Sequence, residues 1–180
     1  MKKIVVVFAM ALMSAFSFAQ QTANKNKNAL ADAAWTRAGC GSDAIHFDVE
    51  MNKNQHTLAE PESGKALVYV FEDDLSGGGF PTTRVGLDGK WTGGNVSESY
   101  MFFPVSPGGH RLCSNWQGHP KMGAALDFTA EAGKAYFFRE KIASSDDVFT
   151  LRQVPEAEGH FLIASHGVST SARKPGNDGN

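Results

Sequence analysis

The sequence predicts a mainly β protein, an antiparallel β-sandwich of about seven or eight strands with a short N-terminal helix and a C-terminal helical turn. Apolar and polar residues alternate with a period of two in several short segments, as in strands with one buried face. Turn residues, such as Asp88-Gly89 and Pro107-Gly108-Gly109, separate these segments at intervals of about ten residues. The strand–helix–strand spacing of a parallel sheet is missing from the sequence, so an antiparallel arrangement is favoured.

Residues 1–19 have the three parts of a secretory signal peptide: the basic pair Lys2-Lys3, an apolar run at 4–16, and the small-residue signal Ser17-Phe18-Ala19. We expect cleavage after Ala19 and a periplasmic or extracellular mature protein. A membrane anchor is the alternative, but an apolar run this short does not comfortably span about 30 Å of hydrocarbon. No second long apolar run follows, so we expect no membrane span after cleavage.

Residues 20–39 are predicted to form a flexible arm that is polar at first and includes a short helix at 29–37. The β-sandwich domain is predicted at 40–167. Its first strand, at 45–49, alternates cleanly between apolar and polar residues. The strongest strand, at 65–72, is almost continuously apolar, so we expect it to be central and covered on both faces.

Three strands are predicted between Arg84 and Trp116, the block around which the rest of the chain is organised. In the middle strand of this block, alternation places one set of side chains on one face (Met101, Phe103 and Val105) and another set on the other (Tyr100 and Phe102). In the third strand, Leu112 and Trp116 share a face. The segment at 91–97 is predicted to be a connection between strands.

Three more strands are predicted at 121–130, 135–142 and 149–152, separated by polar turns. The segment at 155–165 is ambiguous: acidic residues after a proline suit a helix N-terminus, but Gly159 weakens a helix. After Gly167 the chain is rich in Ser, Arg, Pro, Gly and Asn, so 168–180 is predicted to be a disordered tail.

The chain has two cysteines, Cys40 and Cys113, separated by 73 positions. Export to an oxidising compartment favours a disulfide between them, which would fix the N-terminal segment to the sheet. Two free thiols, or one reactive thiol, are the alternative.

Charge limits the partners of the chain. Cleavage of the leader removes two positive charges and no negative one, so the formal net charge falls from −2 to −4. An acidic chain without a cluster of Lys and Arg is a poor partner for nucleic acid or for an anionic membrane surface. A protein or a component of the cell envelope is the expected partner.

Four sequence runs resemble the bacterial family known as domain of unknown function 2846: ALVYVFE, VGLDG, SYMFFPVSPGGHRLC and FTAEAGKAYFFR. The resemblance covers about 65–154. It implies a small exported β-sandwich of the transthyretin or carboxypeptidase-regulatory-domain type. It implies no activity, because the family has none assigned, and it therefore transfers no catalytic residue. The V-x-L-D-G and P-G-x-H pattern also resembles small β-modules of surface-layer and envelope proteins.

Metal and catalytic motifs are missing from the sequence. The six histidines do not form HxH, HExxH or a Cys–His cluster, so we predict no metal and no cofactor. No serine lies in a G-x-S-x-G motif, which excludes that hydrolase elbow. The alternative is an enzymatic or metal-dependent site that assembles only in three dimensions, from His46, His110 and Glu140.

The sequence therefore predicts a non-enzymatic binding or structural module of the bacterial envelope. The candidate binding surfaces are the glycine-rich loop at 73–81, the connection at 91–97 and any exposed edge strand. The candidate residues on these surfaces are Asp73, Asp74, Phe80, Trp91 and Asn95.

Overall fold

Ten β-strands and one helix form the described part of the chain in the computed structural model, which covers residues 40–73, 82–119, 122–143 and 148–174. The strands are β1 (Phe47–Asn52), β2 (Ala66–Glu72), β3 (Thr83–Leu87), β4 (Lys90–Asn95), β5 (Ser99–Val105), β6 (Gly108–Trp116), β7 (Gly123–Ala130), β8 (Ala135–Ala143), β9 (Val148–Val154) and β10 (Gly167–Arg173), and the helix is α1 (Glu156–Ser165). The prediction of a mainly β, sandwich-like fold is confirmed. The predicted leader at 1–19 and arm at 20–39 lie outside the described residues.

The strands form two sheets. Sheet A has six strands in the order β1-β10-β5-β2-β8-β9, and sheet B has four in the order β4-β3-β6-β7. Sheet B is antiparallel throughout, as predicted. Sheet A is mixed, because β2 pairs with β8, and β5 with β10, in parallel. The purely antiparallel prediction was therefore wrong for these two pairs. Long excursions of the chain return β8 and β10 to sheet A in the same direction as their neighbours.

Strand β2 is the centre of sheet A, and all seven of its residues are buried. On the face toward sheet B, Val68 and Val70 pack in a core that includes Leu112 and Phe138. On the opposite face, Tyr69 and Phe71 pack in a second core, whose other members include Leu162 and Ile163 of α1. The prediction of a central strand covered on both faces is confirmed.

The block from Arg84 to Trp116 contains parts of four strands instead of three. Residues 90–95 form β4 at the edge of sheet B, so most of the connection predicted at 91–97 is a strand. Two glycines interrupt the apolar alternation of this strand, so the sequence pattern does not predict it. A side chain at either position would clash with neighbouring atoms. A Cβ at Gly93 would lie 2.5 Å from the Ser171 hydroxyl, and one at Gly94 would lie 2.6 Å from the Thr83 carbonyl oxygen.

The C-terminal region differs most from its prediction. The ambiguous segment forms α1, a helix of ten residues, and Gly159 supports it, because a Cβ there would overlap the Phe137 ring on which the helix packs. The first part of the predicted tail forms most of β10, which pairs with β1 from Val168 to Arg173 and with β5 at its start. The prediction of disorder from 168 was wrong for 168–173, because sheet pairing orders a segment of low hydrophobicity.

Candidate functional site

A cleft of about 480 Å³ lies where the β3–β4 turn meets β6 and β7. The tight turn places Asp88 and Gly89 at positive φ, 50° and 85°. This turn brings the Asp88 side chain over β6, where its Oδ1 accepts the backbone N–H of Arg111 at 2.9 Å. The residues that line the cleft are Asp88, Gly109, His110, Arg111, Asp127, Phe128 and Thr129.

His110 is held between two acceptors. Its Nδ1 lies 2.7 Å from Asp88 Oδ2, and its Nε2 lies 2.7 Å from the Ser106 carbonyl oxygen. Both nitrogens donate at once only in the protonated ring. Burial alone would lower the pKa of His110, but the hydrogen bonds to Asp88 and Ser106, together with the Asp88 charge, outweigh it and raise the pKa. The cleft therefore favours a cationic histidine.

The pKa of the Asp88 carboxyl is shifted in the opposite direction, to a lower value. Partial burial would raise its pKa, but the N–H of Arg111 and the His110 ring lower it. Next to this pair, Arg111 Nη1 contacts both carboxylate oxygens of Asp127, at 2.9 and 3.1 Å, across β6 and β7. The cleft thus carries two cation–carboxylate pairs, and the buried ring of Phe128 lies 5.6 Å from that of His110. Such a surface suits a polar ligand that carries charge.

The outer face of sheet B is covered by the segment before β1. Cys40 and Cys113 form a disulfide, with their Cα atoms 5.5 Å apart, so the predicted bridge is confirmed. The guanidinium of Arg84, only 1% exposed, binds this segment through Asp43 Oδ1 at 2.7 Å and the Ile45 carbonyl oxygen at 2.8 Å. Burial lowers the pKa of Arg84, although Asp43 opposes the shift. Sequence reasoning missed Arg84, because an arginine in a strand usually faces solvent.

Trp91, a predicted binding residue, belongs to the same covered region. Its ring lies 4.5 Å from the Arg84 guanidinium carbon, and its Nε1 donates to the Ser42 carbonyl oxygen at 2.9 Å. A Cβ at Gly41 would lie 2.8 Å from the indole, so the N-terminal segment passes directly over it. Trp91 is half-buried and helps to hold this segment.

The other predicted binding residues do not form a surface. Asn95 is completely buried, where its Nδ2 donates to the Val70 carbonyl oxygen at 3.0 Å and to Glu140 Oε1 at 3.1 Å. Asp73 is 9% exposed and forms an ion pair with Arg139. The prediction that these two residues are exposed was wrong: Asn95 is enclosed between the two sheets, and Asp73 is held in its ion pair on the other face of sheet A. Two further predicted residues, at positions 74 and 80 (Asp74 and Phe80), lie outside the described residues.

A polar cluster lies between the sheets at the end of the core. The fully buried Glu140 of β8 accepts hydrogen bonds from Thr83 at 2.6 Å, from Asn95 and from Ser114. Glu72 of β2 is its register partner and is also fully buried. Desolvation raises the pKa of Glu140, while the hydrogen bonds to it oppose the shift. Sequence reasoning noted Glu140 but missed its pairing with Glu72. The signal that could have indicated this pairing is the presence of a glutamate in each of two apolar strands.

The alternative site of His46, His110 and Glu140 is not assembled. His46 lies just before β1 of sheet A, His110 lines the cleft on sheet B, and Glu140 is enclosed between the sheets. Among the described residues, no three His, Cys, Asp or Glu side chains are arranged to hold a metal ion. The hypothesis that these three residues form one site is therefore wrong.

No family model, curated protein or solved structure matches the chain. The resemblance to domain of unknown function 2846 stays a prediction. Within the described ranges, no helix is long and apolar enough to cross a membrane.

Proposed function

We propose that this chain is an exported, non-enzymatic β-sandwich module of the bacterial envelope, which binds a partner or supports the envelope structure outside the cytoplasm. It would carry a signal peptide cleaved after Ala19 and belong with the domain of unknown function 2846 family. The observation that carries the proposal is the disulfide between Cys40 and Cys113. Structural disulfides persist in oxidising compartments and are rare in the cytosol.

The disulfide joins a segment that the rest of the fold already uses. Cys40 is buried, and the segment that follows it supplies three acceptors to Arg84. The disulfide is therefore part of the native packing. This supports the proposal that the chain matures in a compartment where thiols are oxidised.

The cleft at Asp88, His110, Arg111 and Asp127 is the binding surface that we propose for this module. The side chains of Asp88, Arg111 and Asp127 are exposed on the β3–β4 turn, β6 and β7, whereas the polar cluster around Glu140 is closed to solvent. Ligand sites typically combine a few positioned polar groups with an apolar lining, which Phe128 provides in this cleft.

Export is tested by fractionating cells that express the full chain and by mass spectrometry after alkylation without reduction. We expect the extracytoplasmic fraction to contain a chain that starts at Gln20 and has no alkylated cysteine. A full-length chain with two alkylated cysteines in the cytoplasm would contradict the proposal.

A cell-wall sedimentation assay then tests the cleft with a double substitution, Arg111→Gln with Asp127→Asn, which removes both charges of one pair. We expect the double variant to sediment with the cell wall at least severalfold less than the wild type. Glu50→Gln, an exposed change on β1, should sediment as the wild type does. Equal sedimentation of all three proteins would contradict the proposal that the cleft is the binding surface.

A further inference from the structure

We propose that Glu72 and Glu140 form a buried proton-binding site, in which the two carboxyl groups share one proton, and that this proton links the stability of the sandwich to pH. The two residues are register partners on the parallel strands β2 and β8, with side chains directed to the interior between the sheets. Both are completely inaccessible to solvent. The proposal is independent of export and of the cleft.

Strand alternation explains why the two carboxyl groups meet. Val68, Val70 and Glu72 share one face of β2, and Phe138 and Glu140 share the corresponding face of β8. Because β2 and β8 are parallel and in register, the valines meet apolar partners and the two glutamates meet each other. Both side chains are fully buried on the same face of sheet A, so the two carboxyl groups are neighbours in the interior. Two ionised carboxylates have only acceptors, so a hydrogen bond between them requires a proton on one of them.

The groups that surround Glu140 are neutral donors. Thr83 of β3, Asn95 of β4 and Ser114 of β6 each donate to it, and the Asn95 amide is itself fixed by Ser169 of β10 at 2.8 Å. These donors stabilise one negative charge but bring no positive charge into the cluster. Ionisation of both carboxyl groups would place two like charges side by side in a medium of low dielectric constant, which is unfavourable.

The nearest charged side chains on the same strands face away from the site. Asp73, which directly follows β2, pairs with Arg139 of β8 on the opposite face of sheet A, where Arg139 also contacts Glu158 of α1. On β3, the side chain next to Thr83 is Arg84, which is directed to the outer face of sheet B, toward Asp43. On β2, β3 and β8, the titratable side chains directed to this cluster are therefore the two glutamates.

The sign of the pH effect follows from the shared proton. An unfolded glutamate loses its proton near its ordinary pKa of 4.5, whereas the folded pair keeps one proton to higher pH. Above pH 4.5 the folded state thus binds one proton more than the unfolded state, and folding becomes less favourable as pH rises through the folded pKa of the pair. One such proton increases the unfolding equilibrium constant about tenfold per pH unit.

The first measurement uses the wild-type protein and needs no variant. Infrared difference spectroscopy at pH 7 should detect the C=O band of a protonated carboxylic acid in the folded chain, and the band should disappear in Glu140→Gln and in Glu72→Gln. A wild-type spectrum without a protonated carboxyl band at pH 7 would overturn the proposal.

The second measurement compares urea unfolding of the wild type and Glu140→Gln from pH 5 to pH 8. The ratio of their unfolding constants should change about tenfold per pH unit in favour of the variant until the pair has ionised, because glutamine cannot lose the proton. Glu50→Gln, an exposed change on β1 of the same sheet, should follow the wild type. A ratio for Glu140→Gln that stays constant across this range would also overturn the proposal.

Discussion

Removal of the disulfide should cost the protein a large part of its stability. The perturbation is the double substitution Cys40→Ala with Cys113→Ala. The bridge closes a separation of 73 residues, for which the chain-entropy relation gives about 15 cal/mol/K, or about 4 kcal/mol at 25 °C. Domains of this size are stable by only about 5–15 kcal/mol, so the loss is a substantial fraction of the total.

The assay is urea unfolding at pH 7, followed by the fluorescence of the three tryptophans. We expect the unfolding free energy of the double variant to fall by about 4 kcal/mol, and its m-value to rise because the unfolded chain is no longer restrained. Wild-type protein reduced with dithiothreitol is the matched control and should lose the same amount. A loss below about 1 kcal/mol in both samples would refute the reasoning, because it would mean that the bridge restrains little of the unfolded chain.

Three further predictions follow from the packing and the charges. Arg84→Lys should lower the unfolding free energy by about 2 kcal/mol, since a lysine cannot replace the fork of hydrogen bonds; urea unfolding measures this, and an unchanged midpoint would contradict it. Gly159→Ala should destabilise by about 1–3 kcal/mol through overlap with Phe137, whereas a gain in stability, as helix propensity alone predicts, would disprove that contact. His110 should titrate in NMR above its ordinary pKa of 6.5 and return toward that value in Asp88→Asn. Because the folded pKa is raised, its contribution to stability should be complete below pH 6.5 and lost as pH rises through the folded pKa; identical titrations of the two proteins would exclude the pairing.

The strands with strong alternation were predictable from sequence alone. The apolar run of β2, the two faces of β5 and the buried face of β7 each follow from local periodicity, which depends on neighbouring residues only. The disulfide was also predictable, because the signal peptide expected at 1–19 and a single pair of cysteines suffice to favour it. The two strands that were missed, β4 and β10, have weak local signals: glycines occupy the centre of β4, and β10 is rich in Ser and Thr.

The candidate site was less predictable than the fold. His110 was noted in the sequence, but its pairing with Asp88 depends on the turn that folds β3–β4 back over β6. Asn95 and Asp73 were expected on the surface, because polar residues beside glycines usually lie in exposed loops. Sheet stacking buries Asn95 against Glu140, whereas Asp73 pairs with Arg139 on the other face of sheet A, where Arg139 also contacts α1.

The amino-acid sequence by itself determined the β class, the central position of β2 and the partner of each cysteine, because these depend on local alternation and on the count of thiols. Only the tertiary structure decided which strands are neighbours in sheet A and that two of the pairs are parallel. That pairing depends on contacts between residues far apart in the chain, and a periodic pattern carries no information about them. For the same reason, the meeting of Glu72 with Glu140 and the cover of Arg84 by the N-terminal segment became visible only in three dimensions.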